Sequence, residues 1–257
     1  MTIPEGFEST SRTYLDQTRT VFRAGSGPAV IVLSEMPGIT PQVAQFGRTV
    51  AAAGFSVYMP HLFGEVMRPL TQGYVLREVA RACISREFRA FASHASSPIV
   101  DWLRALGNDA HQEQGGKGVG AVGMCFTGNF ALAMMLGTKM LAPVLSQPSL
   151  PLAFDKAGLH VSDAEIAAAK QLIAEDGARI LGLRFHGDPV CRAERFQRLS
   201  ETFGEAFEAI ELDPACANPA GPKMVHSVLT NHLIDEAGQP TRAALDRVLA
   251  FLAEQLK

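Results

Sequence analysis

The sequence predicts an α/β fold, with a mostly parallel central sheet and helices on both faces. Two observations predict it. Short β-branched runs alternate with amphipathic stretches of ten or more residues, the pattern that βαβ units leave in a sequence. The chain of 257 residues, 47% hydrophobic and 19% charged, also has the size and composition of one large globular core. A single domain over 1–257 is expected, with residues 1–17 as a peripheral N-terminal segment, since no repeat, low-complexity tract or linker divides the chain.

The elements follow in order. PAVIVL (28–33) is a buried strand, and a helix runs from about Gln42 to Ala53, closed by Gly54. FSVYMP (55–60) is the next strand, stopped by Pro60. From Val75 to Ala92 the apolar positions Val75, Val79, Ala80, Cys83, Ile84, Phe88, Phe91 and Ala92 keep helical spacing. Another helix covers roughly Ile99 to Leu106. After the glycine-rich GGKG (115–118), VGAVGM is a strand and Phe126 onward turns helical. Ala142–Leu145 is a short strand, Asp163–Glu175 a helix, and RILGLRF (179–185) a strand. Residues 192–203 are helical, AFEAIEL (206–212) is the last strand, and 241–256 form a closing amphipathic helix.

Composition excludes several classes. A formal net charge of −3 and the lack of a basic stripe with interleaved aromatics argue against nucleic acid as a partner. The N-terminus has neither a basic nor an apolar leader region, and no stretch approaches the roughly 18 apolar residues of a spanning helix. A soluble, cytoplasmic protein that binds no membrane is expected, as a monomer or small homo-oligomer. The four cysteines are widely spaced and read as free thiols. Cys83 lies on an apolar stripe and reads as core, while Cys191 and Cys216 show no partner pattern. No metal is expected, because His61 has no ligand partners at metal spacing, and no cofactor is implied.

Three polar groups fall beyond strand ends, where open parallel sheets collect their reactive groups. Cys125 follows VGAVGM, Asp188 follows RILGLRF in the turn HGDP, and His226 lies in PAGPKMVHS. Nucleophile, acid, histidine is the chain order of the α/β-hydrolase triad. In that chemistry Cys125 attacks a carbonyl, His226 exchanges the proton, and Asp188 fixes the imidazole tautomer. The N–H groups of Phe126 and Met36 would form the oxyanion hole. A free cysteine alone reads as a small buried hydrophobe, and the elbow and triad order turn Cys125 toward catalysis. His232 is the rival base and Asp213 the rival acid, although an Asp-Pro turn explains Asp213 adequately.

The set SEMPGI (34–39), MPHLFGE (59–65), VGMCFTG (122–128), HGDP (186–189) and HSVLT (226–230) resembles the dienelactone hydrolase family. The resemblance runs from about Pro28 to the C-terminal helix. It implies an α/β-hydrolase fold, a Cys125–His226–Asp188 triad, and cleavage of a small-molecule ester or lactone through a thioester. It gives Glu35 a role as well: in the family that glutamate pairs with the resting nucleophile and swings away when substrate binds. The family's best-studied members hold a substrate carboxylate with two arginines, of which Arg81 matches one. The other position, four residues after the histidine, is Thr230. His61 replaces an aspartate, and Thr127 stands where the elbow has glycine, so a β-branched residue must fit a sharp turn. A hydrolase-fold protein that only binds a small ligand, and a carboxylesterase of loose specificity, are the alternative readings.

Overall fold

Six of the apolar runs stack side by side as parallel strands, and a hairpin closes one edge of the sheet. The computed structural model describes residues 2–84, 97–150 and 157–257. Among these, eight strands form one sheet in the order β1-β2-β4-β3-β5-β6-β7-β8. They are β1 (Glu8–Tyr14), β2 (Gln17–Ala24), β3 (Ala29–Leu33), β4 (Ser56–Pro60), β5 (Val119–Met124), β6 (Met140–Ser146), β7 (Ile180–Phe185) and β8 (Phe207–Leu212). β3 to β8 pair in parallel, whereas β1–β2 and β2–β4 are antiparallel. β3, β4, β5, β6 and β7 are buried along their whole length, as strands covered on both faces must be.

The helices are α1 (Pro41–Ala52), α2 (Gln72–Ile84), α3 (Pro98–Gln114), α4 (Gly128–Ala133), α5 (Asp163–Asp176), α6 (Ala193–Phe203) and α7 (Pro240–Leu256). Local chemistry sets their ends. Thr40 caps α1 by accepting from Val43 N, with Pro41 in the first turn. Ser162 and Glu165 form a reciprocal capping box at α5. One group of helices is tied together where Arg104 of α3 donates to Ala133 O of α4 and pairs with Glu165 of α5. Another is joined where Lys257, just past α7, donates to Ala53 O at the end of α1. A Cβ at Gly120 would stand 3.0 Å from both Leu252 and Leu256, so this glycine lets α7 settle onto β5.

Three differences from the sequence reading have local causes. Residues 8–24 form a hairpin at the sheet edge, so the N-terminal segment supplies strand β1. Its two-residue turn is Leu15-Asp16 with both φ values positive (51° and 59°), a turn whose usual Asn-Gly signature is missing. The helix expected over 99–106 extends from Pro98 to Gln114, because Trp102, Leu106 and Ala110 keep one face buried. The chain after β5 makes a 3₁₀ turn (Cys125–Thr127) before the short α4. Residues 85–92 of the helix expected from Val75 lie outside the described residues, as does the side chain of Cys83.

β3 and β5 are neighbours, but β4 lies on the far side of β3 and β6 on the far side of β5. The strand order therefore reverses between β3 and β5, and a crevice opens beyond the carboxyl ends of strands at such a point. Leu33 pairs with Gly123, so Glu35 and Cys125 each stand two residues past this register.

Candidate active site

The elbow is built around Cys125, whose φ of +55° places it in the left-handed region. Such a conformation costs a non-glycine residue about 1–3 kcal/mol, so the surroundings must hold it. Gly123 permits the approach: a Cβ there would lie 2.1 Å from Thr127 O. Gly128 does the same for the loop after β6, since its Cβ would meet Pro148 at 2.9 Å.

Thr127 fits because its hydroxyl bonds back to Met124 at the start of the turn and reaches the end of β3. Its Oγ1 accepts from Met124 N at 2.9 Å. The hydroxyl proton has Met124 O at 2.9 Å, Leu33 O at 3.1 Å and Ser34 O at 3.2 Å within reach. The crowding in this elbow falls on the −2 side, between Gly123 and the Thr127 backbone. The hydroxyl of this fully buried residue links the elbow to the end of β3.

Asp188 and His226 meet beside the elbow. His226 Nδ1 donates to Asp188 Oδ2 at 2.6 Å. Asp188 Oδ1 accepts the N–H groups of Val190 (2.8 Å) and Cys191 (3.1 Å), which aims the carboxylate at the ring. Burial works to raise the Asp188 pKa, but the hydrogen bond and charge of His226 and the two backbone N–H groups hold it below its usual value. For His226 burial opposes the charged ring most strongly. The negative charge of Cys125, hydrogen bonds to Asp188 and Cys125, and the charge of Asp188 together push its pKa well above 6.5. With Nδ1 committed to Asp188, Nε2 is the nitrogen left for the sulfur.

The rival residues have other partners. His232 Nδ1 accepts from the N–H groups of Ser227 (3.1 Å) and His226 (3.4 Å), and its Nε2 donates to Pro222 O (2.9 Å). It is a scaffold for the loop that carries His226. Asp213 is exposed and caps a 3₁₀ turn through Ala215 N, as its Asp-Pro context suggests. His186 is 58% exposed beside Glu211, and His61 hydrogen-bonds Gly64 O.

Glu35 is buried, at 2% exposure, but its hydrogen bonds go to Gln147, Ser227, Thr230 and Asn231. The Cys125 sulfur instead has Ser149 Oγ at 3.2 Å. The expected pairing of Glu35 with the resting thiol is therefore absent among the described residues. Four donors, three of them buried, outcompete one S–H group for the carboxylate oxygens. Arg81 is not gathered into this cluster. Its side chain is 66% exposed and pairs with Glu78 at 3.0 Å, because the residue lies on the outer face of α2. Phe126 sits in the 3₁₀ turn directly after Cys125, with its ring edge-on to Phe130. Met36 is half-buried in the loop that leaves β3, which Gly38 N folds back onto Glu35 O at 2.8 Å.

Ser149, Gln147 and Ser227 went unnoticed in the sequence. One signal was available: SQPS (146–149) places four polar or turn-forming residues after an apolar strand, where strand-end groups collect. Ser149 N donates to Cys125 O at 3.1 Å and Asn129 Nδ2 to Ser149 O at 3.1 Å, so this loop is sewn to the elbow. Among the described residues no cluster of His, Cys, Asp and Glu has the form of a metal site, and no helix is long and apolar enough to cross a membrane.

Comparison with known proteins bears on this arrangement. The solved structures it resembles include a dienelactone hydrolase-like promiscuous phosphotriesterase from metagenomic libraries, with TM-score 0.64, 16% identity, and 98% of each chain covered. A dienelactone hydrolase from Anabaena variabilis matches with TM-score 0.58, 17% identity and 98% of each chain covered. An esterase from Pyrococcus furiosus matches with TM-score 0.57 and 14% identity, over 97% of this chain and 92% of the other. At these identities the likeness is one of fold, the α/β-hydrolase fold. A comparison with curated proteins by sequence returns no match. The model of the dienelactone hydrolase family matches residues 13–205, which include Cys125 and Asp188 and stop short of His226. The chain belongs to the dienelactone hydrolase family, a family of hydrolases.

Proposed function

We propose that the protein hydrolyses an ester or lactone bond of a small molecule through a thioester on Cys125. The observation that carries this reading is a thiol on a left-handed strand-to-helix corner, with an imidazole fixed by a buried carboxylate beside it. His226 accepts the Cys125 proton as the sulfur attacks the carbonyl carbon. It then gives that proton to the departing alkoxide, leaving an acyl thioester. A water molecule, deprotonated by His226, attacks the thioester; collapse releases the acid and the proton returns to the sulfur. The raised pKa of His226 suits it to hold a proton beside a sulfur anion. The N–H groups of Phe126 and Met36 are the proposed donors to the developing oxyanion.

The substrate reading that the side chains favour is an acyl group without a free carboxylate. Thr230 donates to Glu35, and Arg81 faces solvent, so neither is offered to a carboxylate. Two measurements test the proposal. Cys125→Ala is expected to lower turnover of a short aryl ester by roughly 10³-fold or more. Retained turnover would sink the thioester mechanism. A screen of esters and lactones, with and without a carboxylate, tests the substrate class. Preference for the carboxylate-bearing compounds would overturn that part.

A further inference from the structure

The loop that carries His226 has little regular structure to hold it. Between β8 and α7 the chain forms only a 3₁₀ turn, at Pro214–Cys216. Glu35 supplies what the backbone lacks. Its Oε2 accepts from Ser227 Oγ at 2.7 Å and Gln147 Nε2 at 3.2 Å. Its Oε1 accepts from Thr230 Oγ1 and from Asn231 Nδ2 at 3.2 Å. Three of these four donors lie within residues 227–231, the stretch that begins at the residue after His226. The fourth, Gln147, grips the same stretch again by accepting from Val228 N at 3.3 Å.

A carboxylate offers about four acceptor positions, and here all are taken. Turning Glu35 toward Cys125 would leave several buried donors without an acceptor, a loss that one weak S–H contact does not return. The sulfur already has its own hydroxyl partner in Ser149, which is fully buried and held through both its N–H and its carbonyl.

We propose that Glu35 is a positioning residue that anchors the His226 loop to the end of β3, and that the Ser149 hydroxyl is the catalytic residue holding the Cys125 sulfur. Ser149 can accept from the thiol at rest and donate to the sulfur anion once His226 has taken the proton. No bond forms or breaks beyond that one proton transfer. The proposal rests on the thiol-hydrolase reading above.

The test uses the full chain and two readouts: alkylation of Cys125 by iodoacetamide, located by peptide mass, and kcat and KM for 4-nitrophenyl acetate across pH. Thr230→Val removes one donor to Glu35 at nearly constant shape, and Thr230→Ser keeps the hydroxyl. Thr230→Val and Glu35→Gln are expected to lower kcat about tenfold, with KM little changed, the pH profile displaced, and alkylation no faster than in the native protein. Thr230→Ser is expected to restore kcat. Ser149→Ala is expected to change the alkylation rate severalfold and to lower kcat.

Faster alkylation in Glu35→Gln would mean that the carboxylate restrains the thiol, and the anchor role would be overturned. Unchanged kcat and pH profile in Thr230→Val would overturn it too. Unchanged alkylation in Ser149→Ala would remove Ser149 from the reaction. The Thr230 pair keeps the test decisive if Glu35→Gln does not fold. Alkylation needs no substrate, so hydrolysis that persists in Cys125→Ala would sink the proposed function while the alkylation arm still judges Glu35 and Ser149.

Discussion

Cys125 and Cys191 are both buried thiols at the same end of the sheet, one in the turn after β5 and the other in the loop after β7. Both backbones serve the site, Cys191 through its N–H on Asp188 Oδ1 and Cys125 by shaping the elbow. Their side chains differ. Burial, reinforced by the nearby charge of Asp188, pushes the Cys191 thiol pKa far up, so it stays a neutral packing group. Cys125 has Ser149 on one side and, on the other, an imidazole whose pKa its neighbours raise. Burial does not distinguish these two thiols. The presence of a base and a donor beside the sulfur does.

Three changes test that contrast beyond the removal of Cys125 itself. The largest effect is expected from Asp188→Asn, which strips His226 of its partner. kcat/KM should fall about 100-fold or more, and the His226 pKa, followed by NMR, should drop. The Asp188 carboxyl has a lowered folded pKa, so its contribution to stability is present above the unfolded value and is lost as pH falls through the folded one. The stability deficit of Asp188→Asn should therefore be seen near neutrality and fade in acid; a deficit independent of pH would contradict the pairing.

A smaller effect is expected from Thr127→Val. This change leaves Met124 N buried without its acceptor and cuts the link to Leu33 and Ser34, costing about 1–3 kcal/mol in chemical denaturation. Stability equal to the native protein would show that the hydroxyl contributes nothing to the elbow. The smallest change should come from Cys191→Ala, with turnover within about twofold and a stability loss of about 1 kcal/mol for a small buried side chain. A collapse of activity in this variant would erase the distinction between the two thiols.

The alternation of strand and helix was legible because each element carries its own period, and β5 begins and ends where VGAVGM does. The hairpin was not legible, since Leu-Asp is an unusual pair for a turn with two positive φ values. In the site, the residues in Cys–Asp–His order could be picked out as strand-end polar groups. The helical spacing around Arg81 could not say that its side chain lies mostly in solvent and pairs with Glu78.

By itself the sequence determined where most of the parallel strands stop, which reactive residue types stand at their ends, and that glycine at 123 precedes a sharp turn. These are local properties, set by periodicity and by the steric needs of a few neighbouring residues. Only the tertiary structure decided which partners those residues take. Glu35 and Ser227 are 192 positions apart and meet because the long loop after β8 reaches back past the ends of β7, β6 and β5 to the end of β3. Thr127 looked like an obstacle in the one-dimensional motif and became a link once β3 lay alongside β5. Hydrogen bonds of this kind depend on distance in space, and neither pattern nor spacing along a chain encodes that distance.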